Sequence, residues 1–260
     1  MPGVTRLVSV VTAVHRRSVR FLGAAYESLA AQVLPDGWDW QWLVQEDGGS
    51  VGASRVLPRD DRISIASGRP FGPGVARTYA LARADGEFVK VLDADDLLTR
   101  GALARDIDVL SMLPDVGWTT CRARDLLPDG TTAGVSGALA PGRVRRGDVL
   151  RRWIEDGHRP PVHPATLCIR RGLLLNLGGW MALPAGEDTG LLLAADAVAE
   201  GYFISPVGLL YRKWPGQLTA QFAHLHPDER THRNAVIEAR ARALANTFAR
   251  SWDQVVQPTA

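Results

Sequence analysis

Gly86-Glu87-Phe88-Val89-Lys90-Val91-Leu92-Asp93-Ala94-Asp95-Asp96 joins a short apolar run directly to three carboxylates within four residues. Phe88 to Leu92 has the length and composition of a strand buried on both faces. In open α/β sheets, ligands bind just beyond the carboxyl ends of the strands, which is where these acids fall. Three like charges so close repel one another, and a divalent cation would offset the repulsion. Mg²⁺ or Mn²⁺ accepts oxygen ligands and commonly keeps phosphate oxygens in its shell. The competing explanation is helix capping, because the sequence predicts a helix from Thr99 to about Met112, stopped by Pro114. Capping accounts well for one acid and poorly for three, and Thr99 already offers a cap hydroxyl.

Upstream, strand and helix signals alternate. Leu7 to Val14 is a β-branched run, and Trp38 to Val44 and Ile63 to Ala66 read as further strands. Ser18 opens a helix with Leu22, Ala25, Tyr26, Leu29 and Val33 on one face. A second helix is expected from Val75 to Ala84, closed at Asp85-Gly86 with glycine in the C′ position. This alternation predicts an α/β fold with a mainly parallel sheet flanked by helices. Downstream, Val116 to Arg124 pairs with Thr132 to Val135 across Pro128-Asp129-Gly130. A short helix covers Val149 to Ile154, a strand His163 to Arg170, and a helix Glu187 to Glu200, ending at Gly201. His226 to Trp252 reads as a polar, alanine-rich helix. The expected organisation is one domain over 1–225, with halves of about 1–115 and 116–225, and a C-terminal helical segment over 226–260.

The chain has 260 residues, 46% of them apolar and 22% charged, and a net charge of +2. Such a balance gives no electrostatic case for nucleic acid or a membrane surface. Cys121 and Cys168 form no metal-binding spacing and suit a reducing compartment. The N-terminal apolar run is too short for a secretory leader or a membrane span, so a cytoplasmic protein is expected.

Other segments carry weaker signals. Glu46-Asp47-Gly48-Gly49-Ser50 puts acids at a second strand end, where one could accept hydrogen bonds from a base or ribose; a plain Asp-Gly turn is the competing reading. Gly72-Pro73-Gly74, followed by Arg77 in a helix's first turn, suits an anion. It is neither a Walker A nor a GxGxxG sequence. Glu187-Asp188 opens a helix whose dipole favours ionised carboxylates, and one of them could serve as general base. Trp38, Trp40 and Trp42 recur with period two, as core or as a sugar platform. Trp180 is a candidate ligand contact, and His163 is a lesser one. Arg143, Arg145, Arg146, Arg151 and Arg152 read as a solvated charge run rather than an acceptor site. Val236, Leu244, Phe248 and Trp252 would either cover the domain or make a homodimer contact.

Taken in order, these segments resemble the family 2 (GT-A fold) glycosyltransferases over roughly residues 5 to 215. Val8 to His15 looks like the family's VSVIIPTYN strand, Glu46-Asp47-Gly48-Gly49-Ser50 its DDGS, and Gly72 to Thr78 its G-x-x-x-A-R-N. Gly86 to Asp96 is similar to GEYIxxLDADD, while Gly178-Gly179-Trp180 and Glu187-Asp188 fit its GG-aromatic and ED signatures. The resemblance implies transfer of a sugar from a nucleotide-diphosphate donor, a UDP-sugar foremost, to a hydroxyl of a small molecule, peptide or glycan. It also implies Mn²⁺ or Mg²⁺ as cofactor and inversion at the anomeric carbon by direct displacement. By the same resemblance, Thr12, Ala13 and His15 would edge the nucleotide pocket, Asp47 would read the base and Arg77 would support the nucleotide. Asp93 would lie near the ribose, Asp95 would ligate the metal, Asp188 would be the base with Glu187 beside it, and Trp180 and His163 would contact acceptor or donor sugar. Where relatives carry YRxH, this chain has Tyr211-Arg212-Lys213-Trp214, so a histidine near the diphosphate is missing. The rival functions are a nucleotide-sugar-forming nucleotidyltransferase, disfavoured by the glycine-free loop Ala13 to Arg17, and a non-catalytic binding protein of the same fold.

Overall fold

The valine-rich run Arg6–Val14 forms strand β1 at the centre of a parallel set, with Val8, Val10, Val11 and Val14 fully buried. The computed structural model describes residues 5–137, 139–217 and 226–255, with the side chains of 248–255 left out. On one side β1 pairs with β2 (Trp38–Asp47), which pairs with β3 (Ile63–Gly68); on the other it pairs with β4 (Phe88–Val91). All three pairings are parallel, so the strands end on one edge, at Val14, Asp47, Gly68 and Val91.

The sheet then turns mixed. Its ten strands run in the order β3-β2-β1-β4-β9-β6-β10-β5, with β7 beside β6 and β8 beside β10. Here β5 is Leu97–Leu98, β6 Val116–Leu126, β7 Thr132–Ser136, β8 Gly142–Val144, β9 Cys168–Arg170 and β10 Glu200–Arg212. The short β9 is antiparallel to both β4 and β6, while β10 and β6 are parallel. This is an α/β fold of the GT-A kind, and one continuous sheet joins both halves of the chain.

Helices α1 (Leu22–Ala30), α2 (Ala53–Val56), α3 (Pro73–Ala80), α4 (Ala102–Met112), α5 (Asp148–Glu155), α6 (Arg171–Asn176), α7 (Glu187–Val198) and α8 (Pro227–Val255) surround the sheet. Helix α7 is buried from Gly190 to Val198 and lies beneath α8, which contributes Ile237 and Ala241 to the same core. Among the described residues no helix is long and apolar enough to cross a membrane.

Several expectations change. Helix α1 ends at Ala30, so Val33 lies beyond it and is exposed. Ser18 precedes a 3-10 turn rather than capping α1, and its hydroxyl bonds the His15 carbonyl. Thr99 caps nothing: α4 begins at Ala102, and the Thr99 hydroxyl donates to the Val207 carbonyl. His163 to Arg170 is a 3-10 turn (Pro164–Thr166) followed by the three-residue β9. Gly86 is not a left-handed helix terminus. A Cβ there would sit 2.5 Å from the Ser9 nitrogen, so glycine is needed for β1 to pass. Glu200 starts β10 instead of ending α7, and Gly201, Pro206 and Gly208 hide that strand from a period-two reading. Register shifts at Ile204/Val207 and Val207/Leu209 accommodate the proline and the second glycine.

The tryptophan triplet is structural. Trp38 stacks on Phe88 at 5.2 Å between ring centroids, Arg62 covers Trp40, and the Trp42 indole donates to the Thr12 hydroxyl. Two arginines of the charge run are engaged by the protein's own acids: Arg143 pairs with Asp115 and Glu200, and Arg151 with Asp148 and Glu155. On α8, Leu244 packs against the protein's own core and Val236 is exposed. The side chains of Phe248 and Trp252 lie outside the described residues.

Candidate active site

The edge where the parallel strands end opens into a cavity of about 580 Å³. That is within the usual range for small-ligand sites. Its lining brings together Ala13, His15, Asp47, Arg77, Asp93, Asp95, His163, Glu187 and Asp188 from distant parts of the sequence. Thr12 and Trp180, both expected to meet ligand, do not line it.

Thr12 is fully buried, donating to the Leu92 carbonyl (2.6 Å) and accepting from Trp42 Nε1 (2.8 Å). It ties β1, β2 and the end of β4 together beneath the site, so its contribution is to hold the strand ends rather than edge the pocket. The two acids ending β2 divide their work. Glu46 is buried, and its Oε1 accepts the backbone N–H groups of Val51, Gly52 and Ala53, while Ser67 donates to Oε2. Burial alone would raise its pKa, but these bonds more than offset it and the net shift is downward. Glu46 is therefore a loop anchor. Asp47 reaches the cavity, where its Oδ1 accepts from the N–H groups of Phe71 (2.9 Å) and Gly72 (3.2 Å). Those two donors ahead of α3 are thus engaged by a carboxylate of the protein, so the expected anion site at that helix start loses them.

Arg77 is the hub of the site. Its guanidinium is 3% exposed and meets three carboxylates: Asp93, Glu187 at 2.8 Å and Asp188 at 3.2 Å. The arrangement requires α3 to press against the loop before α7. At Gly74 any side chain would collide with the Met181 carbonyl and the Glu187 side chain, which explains the glycine. Arg77 therefore joins the acids after β4 to those opening α7, rather than reaching freely for a nucleotide.

The acids after β4 also separate. Asp96 is fully buried and accepts the Arg212 N–H at 2.9 Å, fixing the end of β10. Asp93 answers Arg77. Asp95 faces the cavity, with Oδ2 accepting from Trp214 Nε1 at 2.6 Å and its carbonyl accepting from Arg212 Nε at 2.7 Å. Burial, then repulsion from Asp93, raises the Asp95 pKa, and the indole bond only partly opposes them. Such a carboxylate suits a cation, which would relieve the repulsion. Among the described residues no three side chains of His, Cys, Asp or Glu are grouped as a metal shell. The carboxylates of Asp93 and Asp95 would suit an ion that takes one or two protein ligands and completes its shell with phosphate and water.

Asp188 has a different environment. Burial pushes its pKa up, Arg77 pulls it down, Glu187 and Asp93 push it up again, and the net value is about 7. Trp180 Nε1 donates to Asp188 Oδ1 at 2.8 Å, and the Trp180 backbone N–H is held by the Thr78 hydroxyl. At 4% exposure, Trp180 is a support for Asp188 and not a stacking surface for sugar. Trp180→Phe removes a bond that favours the ionised form. It is expected to move the acidic limb of kcat/KM to higher pH and lower kcat several-fold with little change in KM. A pH–rate profile tests this, and an unmoved midpoint would assign Trp180 to packing alone.

Sequence reasoning missed Trp214 as a partner of Asp95, Tyr211 against His163, and Phe71 at the cavity edge. The signal for Trp214 was its position where relatives carry YRxH.

A parallel half-sheet with Asp47 at the end of β2, an acidic turn after β4 and a buried carboxylate opening a helix across the same cavity give the domain a GT-A type architecture. Residues 9–125 match the family model of glycosyl transferase family 2. Over 104 residues it is 34% identical to the O-antigen biosynthesis protein RfbC of Myxococcus xanthus, a stretch covering 38% of this chain and 8% of that protein. The chain thus spans under a tenth of that relative. The structure of S. aureus TarS 1-349 in complex with UDP-GlcNAc matches 93% of this chain and 71% of that one, with TM-score 0.69 and 19% identity. The corresponding UDP complex gives TM-score 0.65 at 18% identity. At such identity the likeness is one of fold.

Proposed function

We propose that this enzyme transfers a sugar from a nucleotide-diphosphate donor, a UDP-sugar foremost, to a hydroxyl of a small-molecule, peptide or glycan acceptor, with inversion. The observation carrying the reading is that Asp188, poised near neutrality, shares one cavity with Asp47 and Asp95. A carboxylate with a pKa near the working pH can remove the acceptor proton as the new bond forms. His15 and Ala13 would border the base and Asp47 would receive its donors, while Asp93, held by Arg77, would face the ribose. Glu187 shares Arg77 with Asp188 and keeps the base oriented. Asp95, with Asp93 beside it, would hold Mn²⁺ or Mg²⁺, which when bound supplies positive charge to the leaving diphosphate. Alignment of acceptor oxygen with anomeric carbon supplies much of the remaining rate. The UDP and UDP-GlcNAc bound in the TarS structures support this class of donor.

A thermal-shift screen of nucleotide-sugars with Mn²⁺ tests the donor, because a ligand binding only the native state raises apparent stability. Released nucleoside diphosphate in the presence of acceptor would support transfer. Pyrophosphate would point instead to a nucleotidyltransferase, and no product to a binding protein.

A further inference from the structure

His163 stands in the cavity wall and has no part in the chemistry above. Its ring leans on Tyr211, 4.5 Å between centroids at 51°. Its backbone is fixed by the 3-10 turn Pro164–Thr166, where the His163 carbonyl accepts from the Thr166 N–H (3.0 Å) and hydroxyl (2.7 Å). The ring makes no hydrogen bond among the described residues. Nδ1 is sealed from solvent without a partner, whereas the ring as a whole lines the cavity.

These facts assign the proton. Burial lowers the pKa of the ring, the charges of Asp93, Lys213 and Asp125 acting less strongly, so it is neutral and carries one N–H. Placed on Nδ1, that N–H would be a buried donor without an acceptor, an unfavourable arrangement. Placed on Nε2, it can meet a ligand. The turn carrying His163 packs against α7, β4 and β6, and the ring lines the same cavity as the Asp93–Asp95 loop and the opening of α7. In the reading above, the diphosphate lies at the first and the acceptor hydroxyl at the second, with the transferred sugar between them.

We propose that His163 donates an Nε2–H hydrogen bond to a ring hydroxyl of the transferred sugar, on a wall backed by Tyr211, and so selects the donor. The proposal rests on the cavity being a nucleotide-sugar site. Calorimetric titration with Mn²⁺ and, separately, UDP, UDP-glucose, UDP-galactose, UDP-GlcNAc and UDP-GalNAc tests it on wild type, His163→Phe and His163→Gln. Wild type should bind at least one UDP-sugar more tightly than UDP. His163→Phe keeps the ring contact but lacks the donor, so it should lose about three- to tenfold of that advantage while UDP affinity stays constant. His163→Gln, with an amide N–H of similar reach, should recover part of it. Equal weakening of UDP and every UDP-sugar, an unchanged sugar advantage in both variants, or no sugar advantage in wild type would each overturn the proposal. Absence of UDP binding by wild type would instead remove the nucleotide-sugar reading beneath it.

Discussion

Arg77→Ala is expected to destabilise the protein by about 3–5 kcal/mol, the usual cost of removing one partner from a buried ionic cluster. The guanidinium is the shared counter-charge of Asp93, Glu187 and Asp188, and its removal leaves these acidic groups facing one another. The resemblance implies that this arginine supports the nucleotide; the geometry ties it directly to three carboxylates of the protein. Adding Glu187→Gln to Arg77→Ala removes one of the stranded charges and should recover part of the loss. Urea denaturation of the three proteins measures both effects. A normal midpoint for Arg77→Ala combined with weakened donor affinity would return the arginine to the ligand.

Asp188→Asn is expected to lower turnover by roughly 10²–10⁴-fold, the range for loss of a general base. Its pKa in the folded protein is about 7, above the ordinary carboxylate value near ~3.9. Native stability contributed by this group is fully present below the unfolded-state pKa and is lost as pH rises through about 7. The asparagine, which cannot ionise, should therefore leave the melting temperature unchanged or higher at pH 8. In wild type, kcat/KM should climb as pH passes about 7 and then level off, and this limb should disappear in the variant. Glu187→Gln should cost less, since its task is to share Arg77. The product should carry the anomeric configuration opposite to the donor's. Near-normal turnover of Asp188→Asn, or retained configuration by NMR, would overturn the mechanism and leave the fold untouched.

The parallel half of the fold was legible because its signals are local. A β-branched run, a helix period and an acidic strand end each occupy consecutive residues, and β1 to β4 fall where the pattern puts them. The mixed half resisted because its signals are interrupted or short: β10 carries Gly201, Pro206 and Gly208, β9 has three residues, and β5 has two. At the site, the positions of Asp47, Asp95 and Asp188 could be read from motifs, but the partition of tasks could not. Adjacent acids look alike in sequence, yet Glu46 and Asp96 turn inward to backbone N–H groups while Asp47 and Asp95 face the cavity. Which acid does which depends on partners far along the chain, such as Arg212 and Trp214 for the acids after β4. Trp180 misled for a similar reason. Its loop neighbours Asp188, but the indole is buried and donates to that carboxylate instead of lining the cavity.

The central claim is that the strand-end cavity holds a nucleotide-sugar through a cation at Asp95. Calorimetric titration of UDP into wild type and Asp95→Ala, each with and without Mn²⁺, tests it most directly. Wild type should bind UDP far more tightly with Mn²⁺ than without, and Asp95→Ala should keep its melting temperature while losing that dependence on the metal. Equal, Mn²⁺-independent affinity in the two proteins would contradict the claim.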